Sequence, residues 1–376
     1  MLYPTLFEET KTVVLKTNNN CNLKCSYCYD DDNKDRTLTN LDIDIIPSLF
    51  QELVVFSKQK NIDRLNVIWH GGEPMLMGLD YFSDVTDIQK KLDFGFNNLI
   101  QTNGVYIDDE WISFFKKNQF KIGISFDGAI SANKIHRQKT NDVVKNIKLL
   151  NKHSIAPSLI CVISDLNYTY YEEMFKFLSG IETEYVDLIP CYENNKKFSL
   201  SNQHYIEFMI GMFDLWWKSD RKINFRFFNN IIDKIQGKIS HENFVTCSLT
   251  GRCGEIISVN SDKKIYFCDC LPKNETYHIG TLTDGLSKIS DGYKYSTLRE
   301  KTMSVNSECK DCKFLSICGQ GCMNRRESGN NMKDYYCEAR KVLFNHIMLA
   351  LGTNEICCTS KGIPAFTRGP EPITVN

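Results

Sequence analysis

Sixteen cysteines in a chain of 376 residues constrain this sequence more than any other feature. The N-terminal stretch MLYPTLFEETK has no basic start followed by an apolar core, so a secreted, disulfide-stapled framework is not the expectation. In a reducing cytoplasm, where the chain is expected to reside, thiols at short spacings read as metal or iron–sulfur ligands. Their distribution is uneven. Cys21, Cys25 and Cys28 fall together, Cys161 and Cys191 stand apart, nine lie from Cys247 to Cys337, and Cys357 and Cys358 sit near the C-terminus.

The remaining composition narrows the class. Apolar residues are 42% and charged residues 24%, as in an ordinary globular protein. Lys+Arg 45 against Asp+Glu 46 leaves no basic excess to neutralise phosphates, so no nucleic-acid partner is expected. No run of 18 apolar residues is present, so no membrane span or membrane partner is expected. From residue 11 to about 190, short β-branched runs alternate with helical patterns. The expected strands are 12–17, 65–69, 98–101, 121–126, 159–163 and 185–189. Between them, Leu79, Phe82, Val85, Ile88 and Leu92 repeat at helical steps, as do Trp111, Phe114 and Phe115, then Val143, Val144, Ile147 and Leu150. Six βα units in series predict an α/β fold, a partial (β/α)6 barrel that is partly closed. A helix is expected over 201–218, and near 240 cysteines and glycines replace helical periodicity. Asp30-Asp31-Asp32 is not a calcium loop, because the sixth position is Asp35 rather than Gly.

Cys21, Cys25 and Cys28 follow directly on the first strand, which places them at the carboxyl rim of a parallel barrel, where active sites sit. Three thiolates can hold three irons of a 4Fe–4S cube and leave the fourth iron for a small molecule. A zinc site or unpaired structural thiols is the alternative, although zinc usually takes four ligands and no fourth Cys or His is near in sequence. The spacing, with Tyr27 before the third cysteine, resembles the radical S-adenosylmethionine (SAM) superfamily. The resemblance implies that the unique iron chelates SAM and that the reduced cluster cleaves it to a 5′-deoxyadenosyl radical. It also implies an electron donor such as flavodoxin or ferredoxin.

Other rim segments extend the resemblance. His70-Gly71-Gly72-Glu73-Pro74 follows the second strand and looks like the family's glycine-rich turn, with Gly72 letting the backbone approach SAM and Glu73 fixing the turn. Ser125 ends the fourth strand and resembles a hydroxyl used on SAM. Arg137, ten residues after Asp127, would pair with the SAM carboxylate. The family often places a histidine about six residues after that aspartate; here the position is Asn133 and the nearest histidine is His136. Tyr192, at the end of the sixth strand, would line the adenosine side.

The C-terminal cysteines are similar to a SPASM domain, an extension found in radical SAM enzymes that modify peptides or proteins. On that likeness Cys247, Cys253, Cys268 and Cys322 would hold one auxiliary cluster, and Cys309, Cys312, Cys318 and Cys337 a second, making three 4Fe–4S clusters. Two structural zinc sites are the alternative. Expected domains are 1–240, a radical SAM partial barrel with connecting helices, 241–345, the SPASM domain, and 346–376, a helix end and tail. Cys161 is expected in the core, and Cys270 near substrate or idle. Asp269, after Cys268, matches the catalytic aspartate of anaerobic sulfatase-maturating enzymes, proposed there to deprotonate the substrate.

Two reactions compete on a peptide or protein substrate. Maturation of a ribosomally made peptide leads, because His70 stands where the sulfatase branch usually has Gln. Oxidation of Cys or Ser to formylglycine is the alternative, supported by the length, the SPASM pattern and Asp269. The twenty residues before Cys21 are too few for a leader-binding winged helix. In the tail, Cys357-Cys358-Thr359-Ser360-Lys361 loosely matches a sulfatase target without its proline. A non-catalytic iron–sulfur or zinc scaffold is a remote reading, since it has no use for the rim motifs.

Overall fold

The computed structural model describes residues 12–30, 37–192, 197–238, 246–251, 253–326 and 333–356. The aspartates at 31 and 32, Cys357, Cys358 and the tail target lie outside these residues. The nine strands are β1 (Thr12–Lys16), β2 (Arg64–His70), β3 (Gly95–Thr102), β4 (Lys121–Ser125), β5 (Ser158–Ile163), β6 (Val186–Pro190), β7 (Ile256–Val259), β8 (Lys264–Tyr266) and β9 (His278–Thr281). Every strand expected between residues 11 and 190 is present. Two compact units form, each from three stretches. The first takes Met1–Phe126, His136–Leu159 and Cys253–Met303; the second takes Asp127–Ile135, Ile160–Arg252 and Ser304–Asn376.

In the first unit β1 is central. Thr12-Val13-Val14-Leu15-Lys16 is buried throughout, as expected of a parallel strand covered on both faces. It pairs in parallel with β2 on one side, and β3 and β4 continue the parallel order. Its other side is taken by β7, also parallel, with Val13 opposite Ile257. The order then runs on through antiparallel β8 and β9. Because this order is linear, the sheet is open rather than closed, and residues beyond 253 extend it.

Helices cover the sheet where the apolar periodicity falls. In the first unit these are α1 (Ile46–Gln59), α2 (Gly78–Lys90), α3 (Asp109–Asn118) and, after α4 (Ile130–His136), whose residues up to Ile135 belong to the second unit, α5 (Thr140–Lys152). The Asp108 carboxylate accepts the Trp111 amide at 2.9 Å and caps α3. That helix then buries Trp111, Ile112, Phe114 and Phe115. Phe82 of α2 meets Trp111 edge-on at 5.8 Å between centroids. In the second unit are α6 (Tyr171–Leu178), α7 (Asn202–Lys218), α8 (Arg226–Ile235) and a C-terminal helix Cys337–Ala350. Its core joins α7 to α8 through Phe213 and Phe228, whose centroids lie 5.3 Å apart. Among the described residues no helix is long and apolar enough to cross a membrane.

Candidate active site

The segment leaving β1 is fixed before it reaches Cys21. The Asn18 carbonyl accepts the Gly72 amide at 2.9 Å, and the Asn20 carbonyl accepts the Glu73 amide at 2.8 Å. Asn18 Nδ2 donates to the Glu73 carbonyl at 2.9 Å, and Asn18 Oδ1 accepts the Asn20 amide at 2.9 Å. This approach explains the paired glycines. A Cβ at Gly71 would stand 2.3 Å from the Asn18 oxygen, and one at Gly72 would stand 1.9 Å from the Asn20 oxygen. The glycines thus let two rim segments touch, backbone to backbone.

Glu73 ties this turn to the end of β3. Its carboxylate accepts the Met75 amide (3.0 Å), the Thr102 hydroxyl (2.7 Å) and the Asn103 amide (2.8 Å). Burial outweighs these three donors and pushes the carboxyl up to about 7. Asn103 in turn reaches the cysteine loop, donating to Asn22 Oδ1 at 2.8 Å and toward Cys21 Sγ at 3.9 Å. Ser125 Oγ accepts from Gln101 Nε2 at 3.0 Å, joining the ends of β3 and β4.

The middle of the cysteine loop is held by residues 136–138. Lys24 and Gln138 exchange two hydrogen bonds, of 2.7 and 2.8 Å. Ser26 binds His136 twice, amide to carbonyl at 3.1 Å and hydroxyl to ring Nδ1 at 2.6 Å. Arg137 Nε donates to the Tyr27 hydroxyl at 2.6 Å, its guanidinium lies 5.2 Å from the Tyr27 ring, and Nη1 points at Cys25 Sγ from 3.8 Å. The Asn133 position also has an explanation. Its side chain accepts the Asp127 amide at 3.0 Å and is buried, while His136 packs on Tyr27, 4.5 Å between ring centroids. Arg137 therefore stands beside the cysteine loop without a histidine at position 133.

Asp269 lies in a half-buried charge cluster around the buried Lys16 at the end of β1. Lys16 Nζ is 2.9 Å from both Asp30 oxygens and 3.1 Å from Asp269 Oδ1. Tyr29 donates its hydroxyl to Asp269 Oδ2 at 2.8 Å, Ser258 donates to Oδ1 at 3.2 Å, and Lys273 Nζ is 3.4 Å away. Burial alone would raise the Asp269 carboxyl, but Lys16, Lys273, His70 and the Tyr29 hydroxyl together hold it well below the usual carboxylate range. Burial lowers the pKa of His70, and its Nδ1 has no hydrogen-bond partner among the described residues. Sequence reasoning passed over Lys16 and Tyr29 and weighed Asp30 only as part of a calcium loop that it rejected. A lysine ending the apolar run Thr12-Val13-Val14-Leu15 was the available signal.

In the second unit, Asn306 caps the short helix Ser307–Lys310, accepting the Glu308 amide at 2.9 Å, and the Cys312 amide donates to the Cys309 carbonyl at 3.1 Å. Cys318 ends the helix Leu315–Cys318, and Cys337 opens the C-terminal helix. Asp334 binds Arg325 at 3.0 Å and accepts the amides of Cys322 and Tyr336, each at 2.8 Å. Tyr192 lies in this unit against Tyr335 and Tyr336, at 5.4 and 6.4 Å between centroids. Cys161 is fully buried. Cys247 opens a 3₁₀ turn, Cys247–Leu249, in this unit; Cys253 and Cys268 belong to the first.

No three His, Cys, Asp or Glu side chains among the described residues converge as a single metal ion requires; a cubane differs in that each thiolate takes its own iron. The donors around Cys21 and Cys25 suit thiolates. The Leu23 amide points at Cys21 Sγ from 3.5 Å, joined by Asn103 and Arg137 as above. The site residues therefore fit a three-thiolate cluster.

Comparison with known proteins agrees with this reading. A family model for the Radical SAM superfamily matches residues 15–178. The cysteine-type anaerobic sulfatase-maturating enzyme of Clostridium perfringens is 27% identical over 357 residues, covering 87% of this chain and 93% of the relative. The serine-type enzyme of Bacteroides thetaiotaomicron is 26% identical over 365 residues, covering 87% and 86%. In fold, the chain matches native anSMEcpe with bound AdoMet at a TM-score of 0.81, with 23% identity over 90% of this chain and 98% of that one. It matches Streptococcus suis SuiB at 0.63, with 16% identity over 87% and 77%. Residues 15–178 carry the match to the Radical SAM superfamily, and over most of its length the chain is similar to the anaerobic sulfatase-maturating enzymes.

Proposed function

We propose that the chain is a maturase that takes a hydrogen atom from a residue of a ribosomally made peptide and so installs a post-translational modification. Cys21, Cys25 and Cys28 hold the cluster that faces SAM, with Tyr27, Gly72, Glu73, Ser125, Arg137 and Tyr192 around SAM. Cys247, Cys253, Cys268 and Cys322 hold one auxiliary cluster; Cys309, Cys312, Cys318 and Cys337 hold the other. When bound and reduced, by a flavodoxin or ferredoxin, the first cluster supplies the electron that turns SAM into a hydrogen-abstracting radical.

The chain's own residues do the rest. The Arg137 fork, oriented by Tyr27, pairs with a carboxylate. Glu73 and the glycine turn keep the ligand loop against the rim. Asp269, ionised and held by Lys16, takes a proton from the substrate, and a carboxylate held so acidic accepts one only from a strongly acidified donor. The observation that carries the choice of substrate is His70. It occupies the position where the sulfatase branch usually has Gln, and it is one of the groups whose charge acts on Asp269. Among structural neighbours, SuiB is bound to the precursor peptide SuiA, and anSMEcpe to AdoMet and a Kp18Cys peptide, which supports a peptide substrate.

Formylglycine formation is the second reading, favoured by the near full-length match to cysteine- and serine-type sulfatase-maturating enzymes. The test is to offer the reconstituted, reduced enzyme and SAM two peptides: a sulfatase target with Cys or Ser, and any short precursor encoded beside this gene. Modification of the precursor without aldehyde in the sulfatase peptide is expected. Aldehyde in the sulfatase peptide establishes the second reading instead. Iron should approach about twelve per chain, four per cube; about four irons with stoichiometric zinc would remove the auxiliary clusters from the proposal.

A further inference from the structure

Two arginines of the second unit are buried with donors that bind nothing among the described residues. Arg340 is 1% exposed and Arg326 is 5% exposed. Arg340 donates Nη2 to the Ser248 carbonyl at 3.0 Å, yet its Nε and Nη1 have no hydrogen-bond acceptor among the described residues. Arg326 likewise leaves Nε and Nη2 buried without one. Asp334, the buried carboxylate of this region, is already engaged by Arg325 in hydrogen bonds of 3.0 to 3.2 Å, and its Oδ2 lies 3.5 Å from Arg340 Nη1. A guanidinium buried with idle donors is strongly disfavoured unless an anion stands nearby.

The sequence places that anion. Arg340 lies three residues after Cys337 on the first turn of the C-terminal helix, so the two share a face. Burial opposes the charge of Arg340, and the largest favourable influence on it is Cys318, ahead of Asp334. Cys309, Cys318 and Cys337 belong to one proposed four-thiolate set. An oxidised 4Fe–4S core with four thiolates carries a net charge of about −2, so such a cluster would be the anion that the idle donors of Arg340 lack.

We propose that Arg340 is the built-in countercharge of the site formed by Cys309, Cys312, Cys318 and Cys337, and that it sets the reduction potential of the cluster held there. The inference rests on the reading of that cysteine set as an auxiliary cluster site. Net charge and hydrogen bonds to the sulfurs are the means by which a protein tunes such a cluster. Removing a fixed positive charge disfavours the reduced, more negative state.

The experiment is a redox titration of the reconstituted full-length enzyme followed by electron paramagnetic resonance, with metal analysis on every sample. In Arg340→Gln, iron should stay at the wild-type value while one of the one-electron steps moves negative by about tenfold in its equilibrium, or about 59 mV. The other steps should not move, and Arg340→Lys should restore most of the shift. Full iron with every potential unmoved would overturn the inference. So would equal loss of about four irons from the Gln and Lys variants, since Arg340 would then serve packing rather than charge. Loss from Gln with retention in Lys would uphold it. Stoichiometric zinc in the wild type would overturn the auxiliary-cluster reading itself, and metal analysis shows that before any potential is measured.

Discussion

Glu73→Gln tests how the glycine turn is fastened to the rim. The Glu73 carboxyl is 1% exposed, and burial pushes it from the ordinary 4.5 up to about 7. A raised folded-state pKa in an acid contributes stability that is fully present below 4.5 and is lost as pH rises through about 7. Between about pH 6 and 8.5 the loss amounts to about 1.4 kcal/mol, or tenfold in the local opening equilibrium. The reporters are the amides that bind the carboxylate, Met75 and Asn103. Hydrogen exchange at these two sites, corrected for the intrinsic base-catalysed rate, should therefore accelerate about tenfold over that range. In Glu73→Gln the slope should vanish, because an amide does not titrate there. Both carboxylate oxygens accept hydrogen bonds, so the new NH₂ must face a donor, and protection should drop by about 1–3 kcal/mol at low pH. A flat or rising wild-type profile would refute the reasoning. It would mean that the three donors outweigh burial and keep Glu73 ionised throughout.

Arg137→Ala removes the Tyr27 hydrogen bond and the cation–π contact; SAM affinity by anaerobic calorimetry should fall about tenfold to a hundredfold, about 1.5–3 kcal/mol for a charge-assisted pair, with iron unchanged. Unaltered affinity would point to another carboxylate partner. Asp269→Asn should leave substrate-dependent 5′-deoxyadenosine intact while modified product falls about 10²–10⁴-fold, measured with iron counted because Cys268 is adjacent; normal product with full iron would make Asp269 a structural ion-pair member held by Lys16.

Local pattern was enough for the strands and for the ligand loop. Parallel strands buried on both faces must be short apolar runs, and β1 through β6 are such runs, so their positions could be read directly. Three cysteines just past β1 put the loop at a carboxyl end for the same reason. The Gly71-Gly72 pair was legible as a special turn but not for its use, since only coordinates reveal that the backbone of Asn18–Asn20 occupies the space of both missing side chains. The ordinary-looking Asn103 and Ser26 carry no signal of their own, yet Asn103 bonds Asn22 beside Cys21, and Ser26, inside the loop, bonds His136.

What the pattern could not supply is long-range pairing. The change of texture near residue 240 suggested that the chemistry of the chain changes there, yet Ile256–Val259 returns to lie beside β1. Four residues carry too little periodicity to announce a partner some 240 positions away, and strand pairing is decided by the open edge of β1 rather than by β7 itself. That return has a chemical consequence. It brings Ser258 and, through the following hairpin, Asp269 to the end of the strand that carries Lys16. A carboxylate in a cysteine-rich stretch and a lysine in an apolar strand each look incidental along the chain. Joined by the β1–β7 pairing they form the ion pair that keeps Asp269 charged at the rim, so the open sheet edge, more than either motif, places the candidate base.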